Sequence, residues 1–186
     1  MINLLKKSIA LGILLICFSC NGPQDYISWV ENPQNDLIQT EKSGDIQYKV
    51  SCVPPRYKAL RKNGLEGFKS KRYFQDLEEL KGTTSFLIDI TLPKAFIESY
   101  TPTKLKDYIA FQLGGNCSLQ QGEKRFTTEY YTIESGFAKK NSYRLNLLFP
   151  AQELDEEEEF LLIIQDKLLG NAQFNYSLID EKEYYF

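Results

Sequence analysis

Alternation of apolar and polar side chains with a period of two recurs along this chain, and it limits the fold more than any other feature of the sequence. In residues 45–53, Ile46, Tyr48, Val50 and Cys52 alternate with Asp45, Gln47, Lys49 and Ser51, which is the pattern of a strand with one buried face. Phe86, Ile88 and Ile90 repeat it in residues 85–92, and Phe174, Tyr176 and Leu178 repeat it in residues 172–179. Residues 116–121, the Thr- and Tyr-rich 125–133, the Leu- and Tyr-rich 142–149 and the apolar 160–165 are further strands by composition and length. Residues 167–171, with Gly170, fit a hairpin loop of about five residues.

Helical spacing is confined to short segments. Tyr73, Leu77 and Leu80 share one helical face, with Gly82 placed to end the helix. Thr101 and Pro102 open a second, with Leu105, Tyr108 and Ile109 on one face and Gly114-Gly115 closing it. Many strands and few helices predict a mostly β fold, an antiparallel β-sandwich decorated with one or two short helices. No internal repeat of solenoid period is present.

The first residues have a different character. Lys6 and Lys7 precede an apolar run of about ten residues, half of the roughly 20 that a membrane-spanning helix needs. Asn21, Gly22 and Pro23 end that run, as they would a cleaved export signal. Cys17, Phe18 and Ser19 stand before Cys20, with the small Ser19 at the cut and a thiol free to take a diacylglycerol. This segment resembles the lipobox of bacterial lipoproteins. The resemblance implies a signal peptide over residues 1–19, lipidation of Cys20, and, with Asn21 next, an outer-membrane address on the periplasmic or cell-surface face. Beyond the signal, residues 20–25 read as a polar tether carrying the lipid, and length and strand pattern make residues 26–186 a single β-rich domain. Trp29, Val30, Glu31, Asn32, Pro33, Asn35 and Leu37 are similar to the openings of small outer-membrane lipoproteins of unknown role. Within that opening, Tyr26 to Val30 read as a first strand or a packing segment, and Trp29 as a core residue.

Composition excludes much chemistry. There is no histidine, so Ser-His-Asp and Cys-His nucleophiles and histidine metal sites are absent. Loss of residues 1–19 would remove Lys6 and Lys7 and take the formal net charge from −3 to −5, which argues against nucleic acid as a partner. Cys52 and Cys117 are the other cysteines of the mature chain. An oxidising periplasm allows a disulfide between them, worth roughly 4 kcal/mol for a loop of about 65 residues, and the sequence equally allows two buried thiols. They are too few and too far apart in sequence for a thiolate metal site.

Three clusters remain. Glu153, Asp155, Glu156, Glu157, Glu158 and Glu159 lack the spaced ligands of a calcium loop and read as a solvated acidic turn. Residues 56–72 are rich in Arg and Lys with Tyr57 and Phe68 interleaved, a surface helix and loop whose alternative is contact with lipid phosphates. The ending Tyr184-Tyr185-Phe186 resembles that of outer-membrane barrels, but Asp180, Glu181, Lys182 and Glu183 occupy the place of a lipid-facing band. No Gly-rich phosphate loop or nucleophile elbow is present. The expectation is a non-catalytic binding or assembly module without metal or cofactor, anchored to the membrane and contacting another envelope protein or glycan. The alternative is a carboxylate-dependent hydrolase or lyase acting on envelope glycan.

Overall fold

The computed structural model describes residues 22–134, 141–151, 154–155 and 158–177. The period-two stretches become strands of two antiparallel sheets. Sheet A runs β1 (Ile38–Ser43), β2 (Ile46–Val53), β3 (Thr83–Thr91), β7 (Ser142–Pro150), β6 (Tyr130–Ile133) in spatial order. Sheet B runs β5 (Lys124–Thr127), β4 (Cys117–Gln121), β8 (Phe160–Asp166), β9 (Gly170–Tyr176). The expected β-sandwich with short helices is the fold.

The alternation places the core between the sheets. Tyr48, Val50, Phe86, Ile90, Leu145, Leu147 and Phe149 of sheet A are fully buried, as are Leu119 and Leu162 of sheet B. Four aromatic rings tie the layers together. Phe86 of β3 lies 5.9 Å from Phe149, 6.3 Å from Phe160 and 5.4 Å from Tyr176, at separations where edge and tilted ring contacts are favourable. Tyr176 also donates to the Val50 carbonyl at 3.2 Å, and Tyr48 to the Leu169 carbonyl at 2.9 Å. Each hydroxyl buried between the layers thus binds backbone across the sandwich.

The helices are α1 (Pro23–Val30), α2 (Pro55–Asn63), α3 (Lys71–Glu79), α4 (Lys94–Glu98) and α5 (Pro102–Phe111). Five short helices among the described residues exceed the one or two expected. Residues 26–30 are helical rather than a strand. Pro23 occupies the first helical position, and the Asp25 carboxylate accepts the Gly22 N–H at 3.0 Å. Tyr26, Ile27 and Val30 then form one buried stripe. Pro23, Gln24 and Asp25, read as tether, are the first turn of that helix.

The basic residues 56–72 form α2, a loop and the start of α3, as expected of a surface helix and loop. Asp76 of α3 binds Lys62 and, at 2.7 Å, the Asn63 amide of α2; these two partners hold its carboxyl below the usual range. Ser70 caps α3 by accepting from the Tyr73 N–H at 3.1 Å. Gly82 takes the left-handed conformation expected of it, with φ 71°.

Three further expectations change in the structure. Residues 125–133 are two strands, β5 and β6, which pass from sheet B to sheet A around Thr128, whose hydroxyl binds the Gly114 carbonyl at 2.9 Å. The last hairpin has a loop of three residues, because Gly170 already pairs with Asp166. Strand β1 carries no period-two signal, yet Gln39, Glu41 and Ser43 close the sandwich. Glu41 accepts the Gln173 N–H at 2.9 Å, Ser43 accepts the Asn171 N–H at 3.1 Å, and Gln39 donates to the Asn175 carbonyl at 2.5 Å. These side chains cover the open edge of β9. A side chain on Gly170 would meet Ser43 Oγ at 2.3 Å, and φ there is 86°, so this seam requires glycine.

Candidate functional site

Residues of sheet A that do not enter the core form its outer face, and strand register arranges them in three rows. Val53, Ser85, Leu148 and Tyr130 make the first row, Ser51, Leu87, Asn146 and Thr132 the second, and Lys49, Asp89 and Arg144 the third, which Glu134 extends just beyond β6. The third row alternates in charge. Arg144 binds Asp89 through two bonds of 2.5 and 2.8 Å and approaches Glu134 at 3.8 Å, and its bond to Asp89 raises the guanidinium pKa above its ordinary value. The middle row is small and polar apart from Leu87. Asn146, Thr132 and Ser51 are half-buried and make no side-chain hydrogen bond among the described residues. Tyr130 stands 60 % exposed at the end of the first row.

Helix α2 leaves β2 at Pro54 and lies beside this face. Lys58 reaches back to Ser85 Oγ at 3.1 Å. Burial, and then the like charge of Lys62, lower the pKa of its ammonium. A lysine of that kind beside a serine is one arrangement for nucleophilic activation. Ser85 is only 3 % exposed, so its hydroxyl is presented to Lys58 and not to solvent. Next along α2, Tyr57 donates to Glu31 at 2.7 Å, and Arg61 binds both Tyr57, at 3.1 Å, and Glu31. Burial raises the Tyr57 hydroxyl pKa, and Glu31 adds to the effect. Asp89 therefore accepts from arginine on both oxygens, and Glu31 accepts from tyrosine and arginine on Oε1.

A second polar group lies inside the sandwich. Asp166, 3 % exposed, accepts from the Tyr108 hydroxyl and the Asn116 amide, both at 2.7 Å, and from the N–H groups of Leu168 and Leu169 at 2.8 and 2.7 Å. Four donors on one carboxylate hold the β8–β9 turn to α5. Burial, and then the Asp166 hydrogen bond, raise the Tyr108 pKa.

The residues singled out in the sequence are scattered. Cys52 and Cys117 are both buried, in β2 and β4, as two thiols and not a disulfide. Cys117 donates to the Leu113 carbonyl at 3.4 Å, and burial, with the Asp166 charge, pushes its pKa up to about 12, the opposite of a reactive thiolate. Trp29 is half-buried and stacks on Tyr26 at 6.2 Å. Cys20 and residues 184–186 lie outside the described residues, as do Glu153, Glu156 and Glu157. Of the acidic run, Asp155 and Glu158 are held through backbone. Gln121 donates to both carbonyls, at 2.9 and 3.0 Å, and accepts the Asp155 N–H at 2.7 Å. Among the described residues no group of acidic or thiol side chains gathers as a metal site, and no helix is long and apolar enough to cross a membrane. The outer face was not legible in the sequence, because its rows join four strands whose register only the fold supplies. Comparison of the chain with protein-family models, curated proteins and solved structures finds no match.

Proposed function

We propose that this is a lipid-anchored protein of a bacterial outer membrane, attached through Cys20, and that it is a non-catalytic module binding an envelope glycan across the outer face of sheet A. The observation that carries the binding reading is the composition of that face. Arg144 is paired with Asp89 and Glu134, the amide and hydroxyl groups of the middle row make no side-chain hydrogen bond among the described residues, and a tyrosine ring stands exposed at one end. Such a surface suits a neutral, polyhydroxylated chain, which needs donors and acceptors in a plane and an apolar ring to lie against. An anionic partner would require several unpaired cations, whereas Arg144 already holds Asp89 and, of the cations in the three rows, Lys49 alone has no ion pair among the described residues. The bidentate arginine on Asp89, the more buried carboxylate of the third row, supports binding over hydrolysis, since glycoside cleavage needs two carboxyl groups able to exchange protons or attack.

The test is calorimetric titration of the detergent-solubilised full chain with oligosaccharides released from its own envelope. Wild type should bind, and Tyr130→Ala with Asn146→Ala should weaken binding at least about tenfold, as loss of a ring contact and a hydrogen-bonded amide implies. The melting temperature should not move, because both side chains lie outside the core. Equal affinity in the variant, or capture only of a protein partner, would remove the glycan reading.

A further inference from the structure

We propose that the domain rests directly on the bilayer with the N-terminal turn of α1 against the lipid headgroups, because the chain has almost no spacer. This rests on lipid attachment at Cys20, as proposed above. From Cys20 to Gly22 the chain advances two residues, at most about 7 Å when fully extended. The headgroup layer is itself about 5–8 Å thick on each side, the difference between a hydrocarbon core of about 30 Å and a total of about 40–45 Å. Crossing it consumes the tether.

Beyond the tether the chain enters α1 at once. The Asp25 carboxylate fixes the start of α1 at Gly22. Tyr26, Ile27 and Val30 are 0 %, 6 % and 4 % exposed, so the helix is part of the core. At the other end of α1, Glu31 is bound by Tyr57 and Arg61 of α2. The domain therefore cannot lift from the membrane or turn freely on its anchor without breaking those contacts. The occupant of this surface is the bilayer, met by Pro23 and by the exposed Gln24, Asp25 and Ser28. A protein held in this way reaches only ligands at the surface of its own membrane, and does not span the space between two.

Trp29 is the only tryptophan of the chain, so it reports the arrangement without substitution. It lies six residues beyond Pro23, about 9 Å along a helix rising 1.5 Å per residue, which places it within about 20 Å of the anchor. The lipidated full chain is reconstituted into vesicles carrying a dansyl-headgroup phosphatidylethanolamine, and energy transfer from Trp29 is read. Native protein should lose at least half of its tryptophan emission relative to unlabelled vesicles. A variant with twelve Gly/Ser residues inserted between Asn21 and Gly22 should recover at least half of that loss, since such a spacer has a mean reach of about 19 Å. Weak transfer in both proteins, with labelled fatty acid present in both, would overturn the proposal and leave the anchor intact. Strong transfer in both would also overturn it, because the domain would then adhere without the short tether. Absence of fatty-acid label in wild type, where Cys20→Ala is the control, would remove the anchor and the proposal together.

Discussion

At the scale of single residues, Asp166 shows how this fold accommodates a buried charge without a counter-ion. Its two oxygens receive four hydrogen bonds, two from side chains 58 and 50 residues away in sequence and two from the adjoining turn. Asp166→Ala would strand the Tyr108 hydroxyl, the Asn116 amide and two N–H groups, and should cost about 3–5 kcal/mol. Tyr108→Phe removes a single bond to a charged acceptor and should cost about 1.5–3 kcal/mol. Urea denaturation of the two variants checks the ranking; equal losses would mean that Asp166 is not the hub. The same interior sets the response to alkali. Burial raises the pKa values of Cys117, Tyr48, Tyr108 and Tyr176, that of Cys117 from 9.0 to about 12. These groups stay protonated when folded, whereas the unfolded chain releases their protons first. Their contribution is complete below pH 9.0 and lost progressively as pH rises toward about 12. Urea midpoints should agree at pH 7 and 8 and fall by pH 10.5, and Cys117→Ala should flatten the first part of the decline.

Among the elements, β1 behaves unlike the other strands. Its backbone pairs with β2, and its side chains pair with the backbone of β9. An open edge that would otherwise invite another strand is thereby covered from within the molecule. Glu41→Ala with Ser43→Ala should cost about 1–3 kcal/mol. Amide exchange should accelerate at Gln173 and Asn171, while the amides shared by β4 and β8 keep their protection relative to global stability. Uniform acceleration across sheet B would show that the seam is not a local device.

For the whole molecule, contacts among the described residues close the sandwich on each side. The aromatic group around Phe86 joins the layers, β1 covers one side, and the passage from β5 to β6 closes the other. Thermal unfolding should accordingly be unchanged by EDTA, and millimolar calcium should raise the melting temperature by no more than about 1 °C through screening of net negative charge. Saturable stabilisation of several degrees would indicate a calcium site in the acidic run after Pro150.

The alternation in residues 45–53 and 85–92 determined β2, β3 and their buried faces, because a side chain's face follows from strand geometry alone. The spacing of Tyr73, Leu77 and Leu80, and of Leu105 and Ile109, did the same for α3 and α5. The chain without its tertiary structure could not reveal β1, since Gln39, Glu41 and Ser43 are polar in order to bind a strand 130 or so residues away. Nor could it separate helix from strand in residues 26–30, where a short apolar stripe fits either until its packing partners are known. The division of residues 125–133 between two sheets has no Gly or Pro to mark it. Whether Cys52 and Cys117 pair, and which side chains share the outer face of sheet A, also depends on register. Local geometry is written in neighbouring residues, whereas register and sheet closure depend on contacts between distant ones, and only the folded chain brings those together.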